Sequence, residues 1–124
     1  MSNKYNALFG ALGLAMRAGV LCVGSDLCEK EIRTGKAKIA LVCENAPDNT
    51  QKKIANACRT YAVPLIKIKA DMTEAALRLG KTGFVSCISV NNASFAKLIE
   101  NSINAANLNI DVEAANHEQQ TEVH

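Results

Sequence analysis

The chain is predicted to adopt an α/β fold, a three-layer α/β/α sandwich with a central mixed sheet of about four strands and five helices. Segments with helical spacing of apolar residues alternate with short β-favouring runs in the order αβαβαβαβα, which places helices on the faces of a sheet. The run Ala37 to Cys43, Ala-Lys-Ile-Ala-Leu-Val-Cys, is nearly continuously apolar, as a central strand covered on both faces must be. Hydrophobic residues make up 48% of the chain, but aromatics only 4%, without a single Trp. The core is therefore aliphatic, with Phe9, Phe84 and Phe95 expected within it.

Each element has its own signals. Ser2 or Asn3 can cap a first helix in which Leu8, Leu12 and Ala15 recur at i, i+4 and i+7, and Gly19 stops it. Val20 to Val23 is a short strand closed by Gly24. A second helix starts at Ser25 or Asp26, because Asp26 and Glu29 have the spacing of a D-x-x-E capping box, and Gly35 ends it. The strand to Cys43 follows. Pro47 breaks the chain, Asp48 or Asn49 can cap, and Ile54, Cys58 and Tyr61 form the stripe of a third helix that ends at Val63-Pro64. Leu65, Ile66 and Ile68 alternate with Lys67 and Lys69 in a third strand, with Pro64 at its permitted start. Asp71 and Glu74 repeat the capping spacing before a short fourth helix that stops at Gly80. Phe84 to Val90 reads as the fourth strand, and Ser94 to Asn104 as a fifth helix with Phe95, Leu98, Ile99 and Ile103 on one face.

With 124 residues, the chain fits one domain of the usual size, about 100 to 200 residues. That domain is expected over residues 1–105. Its 14 Lys and Arg residues all lie there against eight acidic ones, a net charge of +6, while 106–124 holds Asp111, Glu113, Glu118 and Glu122 and no base. Residues 106–124 are expected to form an acidic, disordered tail. A basic body attracts polyanions, although modest positive charge is common among proteins that bind none. The start Met1-Ser2-Asn3-Lys4 has no secretory pattern and no apolar run reaches the roughly 18 residues of a membrane span, so a cytoplasmic protein without a membrane partner is expected. Cys22, Cys28, Cys43, Cys58 and Cys87 form no C-x-x-C and sit in apolar stretches. They are expected to be reduced core thiols.

The motifs of chemistry are sparse. Gly10, Gly13 and Gly19 do not spell G-x-G-x-x-G and follow no strand, no phosphate-binding G-x-x-x-x-G-K-[ST] occurs, and the two histidines, His117 and His124, lie in the tail. No Ser, Cys and His combination falls within the domain for a triad. Catalytic residues, cofactor and metal are all expected to be none. The informative stretch is Gly24-Ser25-Asp26-Leu27-Cys28-Glu29-Lys30-Glu31-Ile32-Arg33-Thr34-Gly35-Lys36-Ala37-Lys38. Its glycine permits close backbone approach, and the helix N-terminus behind it offers unpaired N–H groups and a positive dipole end. Lys30 lies one turn beyond Asp26, while Lys36 and Lys38 arrive from the far end. A polyanion corner and a merely capped helix with a solvated basic face both fit this pattern.

Gly24 to Lys38, the apolar strand after it, Pro64-Leu65-Ile66 and Leu79-Gly80-Lys81 together resemble the superfamily of ribosomal proteins L7Ae and L30e, and within it the bacterial YlxQ-type members with G-x-D-L-x-x-K-E-I-R. The resemblance spans about residues 5 to 104. It implies an α/β/α sandwich whose second helix enters the widened groove of a kink-turn RNA at its sheared G·A pairs. In the family pattern G-x-N-E-x-x-K, Gly24, Asp26, Leu27 and Lys30 stand at the glycine, asparagine, glutamate and lysine. A second contact is implied at the turn Lys81, Thr82, Gly83 and Phe84. Asp26 lacks the amide donor and Leu27 the carboxylate, both as in the bacterial pattern.

The implied function is non-catalytic binding of structured RNA, kink-turn or ribosomal, by a monomer associated with the ribosome or translation machinery, with no DNA partner. Gly24, Ser25, Asp26, Leu27, Lys30, Arg33, Lys36, Lys81, Thr82 and Gly83 are its expected RNA-binding residues. Two other readings compete: a protein-interaction module whose RNA surface has decayed, with Leu27 as an exposed anchor, and an enzyme using a cysteine.

Overall fold

A computed structural model describes residues 5–105 and the strand at residues 111–113. Five helices, α1 (Asn6–Arg17), α2 (Ser25–Arg33), α3 (Asp48–Tyr61), α4 (Met72–Arg78) and α5 (Ala93–Ala105), alternate with β1 (Leu21–Val23), β2 (Ile39–Cys43), β3 (Leu65–Ile68) and β4 (Cys87–Val90), and β5 (Asp111–Glu113) follows. The sheet order is β1-β4-β2-β3-β5. Among the described residues only β2 and β3 pair in parallel; β1 and β2 flank β4 antiparallel, and β5 runs antiparallel to β3. The expected α/β/α sandwich with a mixed sheet is thus the observed fold. Its four-strand centre gains β5 as an edge.

Two apolar layers sit on opposite faces of the sheet. β2 is buried along its whole length because its alternating residues serve both layers. Ile39, Leu41 and Cys43 join Leu8, Leu12, Ile88 and Ile99 in the layer beneath α1, α4 and α5, whereas Ala40 and Val42 join Cys28, Ile32, Ile54 and Cys58 beneath α2 and α3. The first layer is fixed at its rim by Tyr5, whose hydroxyl accepts from the Lys69 N–H at 2.8 Å and whose ring meets Phe9 edge-on at 6.4 Å.

Several expectations are corrected. Phe84 is 72% exposed and lies outside the core, because β4 starts only at Cys87 and the preceding residues form a loop. Tyr61 and Leu98, 44% and 40% exposed, lie at the margins of their helical stripes. α3 has no side-chain cap: Pro47 is its N-cap, and Asp48 is the first helical residue, where its negative charge complements the positive end of the helix dipole. The first-helix cap proposed at Ser2 or Asn3 lies outside the described residues. So does the acidic tail, except that residues 111–113, expected to be disordered, form β5.

The cysteines follow their apolar surroundings. Cys28, Cys43, Cys58 and Cys87 are buried and Cys22 is half-buried. Among the described residues no helix is long and apolar enough to cross a membrane.

Candidate nucleic-acid interface

The antiparallel pairing of β1 with β4 brings the end of one strand beside the start of the other. Gly24, directly after β1, donates its N–H to the Cys87 carbonyl at 2.9 Å, and Cys43, at the end of β2, donates to Ser86 at 3.0 Å. The start of α2 and the loop into β4 therefore share one end of the sheet. Gly83 stands four positions before Cys87, which keeps it within about 14 Å of the Gly24 contact and the whole Lys81–Gly83 turn within about 22 Å.

Gly24 is the N-cap of α2, with φ 106° and ψ 144°, and no side chain caps the helix. This conformation suits glycine, and a Cβ built there meets nothing within 4 Å, so the backbone faces open space. The first intrahelical bond runs from Cys28 N–H to the Gly24 carbonyl at 2.9 Å. No helical carbonyl is in reach of the amides of Ser25, Asp26 and Leu27, as at any helix start. The inner face of α2 is anchored by the buried Cys28 and Ile32, which leaves Asp26, Leu27 and Lys30 exposed.

The capping box expected from Asp26 and Glu29 does not form. Since Gly24 takes the capping position, Asp26 falls inside the first turn with its side chain 97% exposed, and Lys53 of α3 donates to its Oδ1 at 2.8 Å. The same ammonium lies 3.8 Å from Glu29, whose other oxygen holds Arg33 at 2.9 Å. The hydrogen bond from Lys53 holds the Asp26 carboxyl below its ordinary value and raises Lys53 in turn. Arg33 is likewise raised by Glu29. Asp26, Glu29, Lys30, Arg33 and Thr34 line a shallow open groove. Lys30 has no ion-pair partner among the described residues.

The expected residues thus divide. Gly24, Ser25, Asp26, Leu27 and Lys30 share the α2 corner, and Lys81, Thr82 and Gly83 form an exposed turn on the approach to it. Arg33 lies on the last turn, committed to Glu29. Lys36 belongs to the opposite end of the sheet, since Lys38 donates to the carbonyl of Val90, the last residue of β4. Nine helical residues, about 14 Å at 1.5 Å each, separate it from the corner. Sequence reasoning missed Lys53. Its pairing with Asp26 spans 27 positions and two helices, and no local spacing announces such a contact.

Comparison with known proteins places this geometry in context. Residues 6–100 match the model of the ribosomal protein L7Ae/L30e/S12e/Gadd45 family. The chain is 45% identical over 62 residues to the RNA-binding protein YlxQ of Bacillus subtilis, a match covering 50% of this chain and 62% of that one. It thus spans less than two thirds of that relative's length. It is 42% identical over 74 residues to the RNA-binding protein YlxQ of Enterococcus faecium, covering 58% and 71%. Among solved structures it superposes on a protein of unknown function from Bacillus halodurans with a TM-score of 0.71 at 26% identity, covering 78% and 96%. It matches the Giardia lamblia 15.5kD RNA binding protein in fold, with a TM-score of 0.67 at 13% identity and coverage of 86% and 90%. With the family match extending from α1 into α5, the chain belongs to the ribosomal protein L7Ae/L30e/S12e/Gadd45 family, as a YlxQ-type member.

Proposed function

We propose that the protein is a non-catalytic RNA-binding protein that recognises a kink-turn or similarly kinked RNA through the Gly24–Lys30 corner, in association with the ribosome or translation machinery. The observation that carries this reading is an α2 N-terminus left without a side-chain cap behind a glycine that keeps its approach open, with Lys30 one turn away and no acidic partner among the described residues. Backbone N–H groups and the dipole end attract a phosphate, and Lys30 can donate to a phosphate or to a guanine O6. A kinked duplex is the matching target, because ordinary A-form RNA hides its guanine edges in a groove that side chains cannot enter.

Asp26 fits this reading because Lys53 compensates it. An unpaired carboxylate facing RNA would repel phosphates; paired with Lys53, it adds no net charge and keeps lone pairs for guanine N–H donors. The names of the YlxQ relatives support RNA as the partner. The thiols lend little to catalysis: burial raises Cys22 and pushes Cys43 up to about 12, and Cys28, lowered by its hydrogen bond with Cys87, is fully buried, whereas a reactive cysteine needs an accessible thiolate.

The test is a mobility shift with a kink-turn duplex and the same duplex with its G·A pairs disrupted. The expected result is preferential binding of the intact kink-turn, with affinity that falls as salt rises. Equal binding of both duplexes would reduce the function to generic polyanion binding. Absence of any shift at low salt, together with recovery of a protein partner, would favour the interaction-module reading.

A further inference from the structure

We infer that the open groove between α3 and the face of β3 holds the ribose–phosphate backbone of one helical arm of the RNA whose kink sits on the Gly24–Lys30 corner; the inference rests on the RNA reading above. Asp48, Lys52 and Ala55 are spaced to share one face of α3, and with Val42, Leu65 and Lys67 they line a groove of about 260 Å³. Lys53, the next residue after Lys52, turns the other way and reaches Asp26 of α2 at 2.8 Å. α3 therefore stands between α2 and the groove, with one of two consecutive lysines on each side. Since β5 pairs with the outer edge of β3 and the groove lies on the face of that strand, its occupation displaces nothing.

The lining selects the ligand. Lys52 is exposed and Lys67 half-buried, and neither has an ion-pair partner among the described residues. Their ammonium groups can donate to phosphate oxygens, while Val42, Ala55 and Leu65 offer an apolar floor to the carbon face of a ribose. Asp48, exposed at the start of α3, repels a purely anionic ligand but accepts from a 2′-hydroxyl, the donor that distinguishes RNA from DNA. Two cations and one acceptor around an apolar floor thus suit a strand that alternates phosphate with ribose hydroxyl. Gln51 does not compete for the ligand: its amide donates to the carbonyls of Glu44 and Ala46 at 3.1 and 2.8 Å, which holds the loop leading into α3.

The groove reaches the same end of the sheet as the corner. Lys67 stands opposite Val42, one residue before the end of β2, and the next residues lead into the Glu44 N–H bond to the Ile68 carbonyl at 2.8 Å and the Cys43 bond to Ser86. β4, which Gly24 touches through Cys87, is separated from β3 by β2 alone, roughly 10 Å at about 4.8 Å per strand. One RNA that bends at the corner can therefore lay an arm across the start of α3 and into the groove. Backbone contacts of this kind fix register and orientation without reading bases, which complements a corner that meets guanine edges.

Mobility shifts on the full chain test this with three RNAs: a kink-turn with long helical arms, the same kink-turn with trimmed arms, and the long-armed form with 2′-deoxyribose in its arms. Lys52→Glu/Lys67→Glu should weaken long-armed binding about 10-fold and make its salt dependence shallower by about two phosphate contacts, yet bind the trimmed RNA within about 2-fold of wild type. Lys52→Gln/Lys67→Gln should show a smaller loss of the same pattern and serves if charge reversal perturbs folding. Arg17→Glu/Lys97→Glu, the same change of net charge on exposed residues of α1 and α5, should lose far less. Wild type should prefer ribose to deoxyribose arms by about 5-fold, the worth of one hydrogen bond, and Asp48→Ala should abolish that preference. Equal losses from both charge-reversed pairs, or undiminished long-armed binding by the groove variants while Lys30→Ala weakens it, would overturn the groove and leave the corner standing. If wild type binds no kink-turn RNA, the RNA reading and this inference fall together.

Discussion

Two helices of this protein begin with the same spacing of acids and use it differently. In α4, Asp71 is the N-cap, with φ −73° and ψ 148°, and its carboxylate accepts the Thr73 N–H at 2.6 Å. In α2, Asp26 lies inside the first turn, its carboxylate turns outward to Lys53, and the helix has no side-chain cap. The second acids diverge as well: Glu74 pairs with Arg78 at 3.3 Å, and Glu29 with Arg33 at 2.9 Å, so neither closes a reciprocal box. A shift of two residues in the cap makes one motif structural and leaves the other helix start available. Gly24 causes the shift, since its N–H is committed to Cys87 and its positive φ turns the chain into the helix before Asp26 is reached.

The largest expected effect lies at that glycine. Gly24→Val forces a β-branched residue into a positive φ and places its side chain where the ligand approaches; kink-turn affinity in a mobility shift should fall on the order of 100-fold. Retained affinity would break the comparison, because α2 would then need no open corner. Lys30→Ala comes next, with a loss of about 10-fold or more in binding and a salt dependence shallower by about one phosphate contact. The G·A-disrupted duplex should show a smaller loss.

The carboxylates sharpen the contrast by their effect on stability. Asp71→Ala removes a cap and should lower the melting temperature by a few degrees while leaving RNA binding unchanged. Asp26→Ala removes no cap and should barely move it; equal losses would show that Asp26 supports α2 after all. Both carboxyls are depressed in the folded state, Asp71 by the Thr73 N–H and Asp26 by Lys53. Each therefore stabilises the fold above its ordinary value near 3.8 and loses that contribution as pH falls through its lower folded value.

The smallest effect is expected from Lys53→Met. The Asp26 carboxyl should rise towards its ordinary value in a side-chain titration followed by NMR, with little change in stability, because exposed ion pairs contribute little. RNA affinity should drop modestly as the corner gains an uncompensated negative charge. An unmoved Asp26 titration would separate Lys53 from the site.

Local patterns made most of the scaffold legible. Leu8, Leu12 and Ala15 marked the buried face of α1, and the apolar run through Ile39–Cys43 marked a strand buried on both sides. Phe84 misled for a physical reason. Its β-favouring neighbours extend a run that begins truly at Cys87, and side-chain type alone does not show where the ladder with β2 stops. The candidate corner was legible in part: Gly24, Asp26 and Lys30 are close in sequence and stay close on one helix. Lys36 was not, because its nearness in sequence spans the full length of α2.

The sequence by itself determined the order and type of elements, the aliphatic core and the basic body, because apolar periodicity, glycine and proline act within a few residues of themselves. Tertiary structure decided which acid caps a helix and which faces outward, that Lys53 reaches Asp26 from another helix, that Lys36 stands apart, and that an acidic segment beyond α5 completes a sheet edge. These are encounters between residues far apart along the chain. Their partners are selected by strand order and helix packing, which bring together groups that no local pattern links.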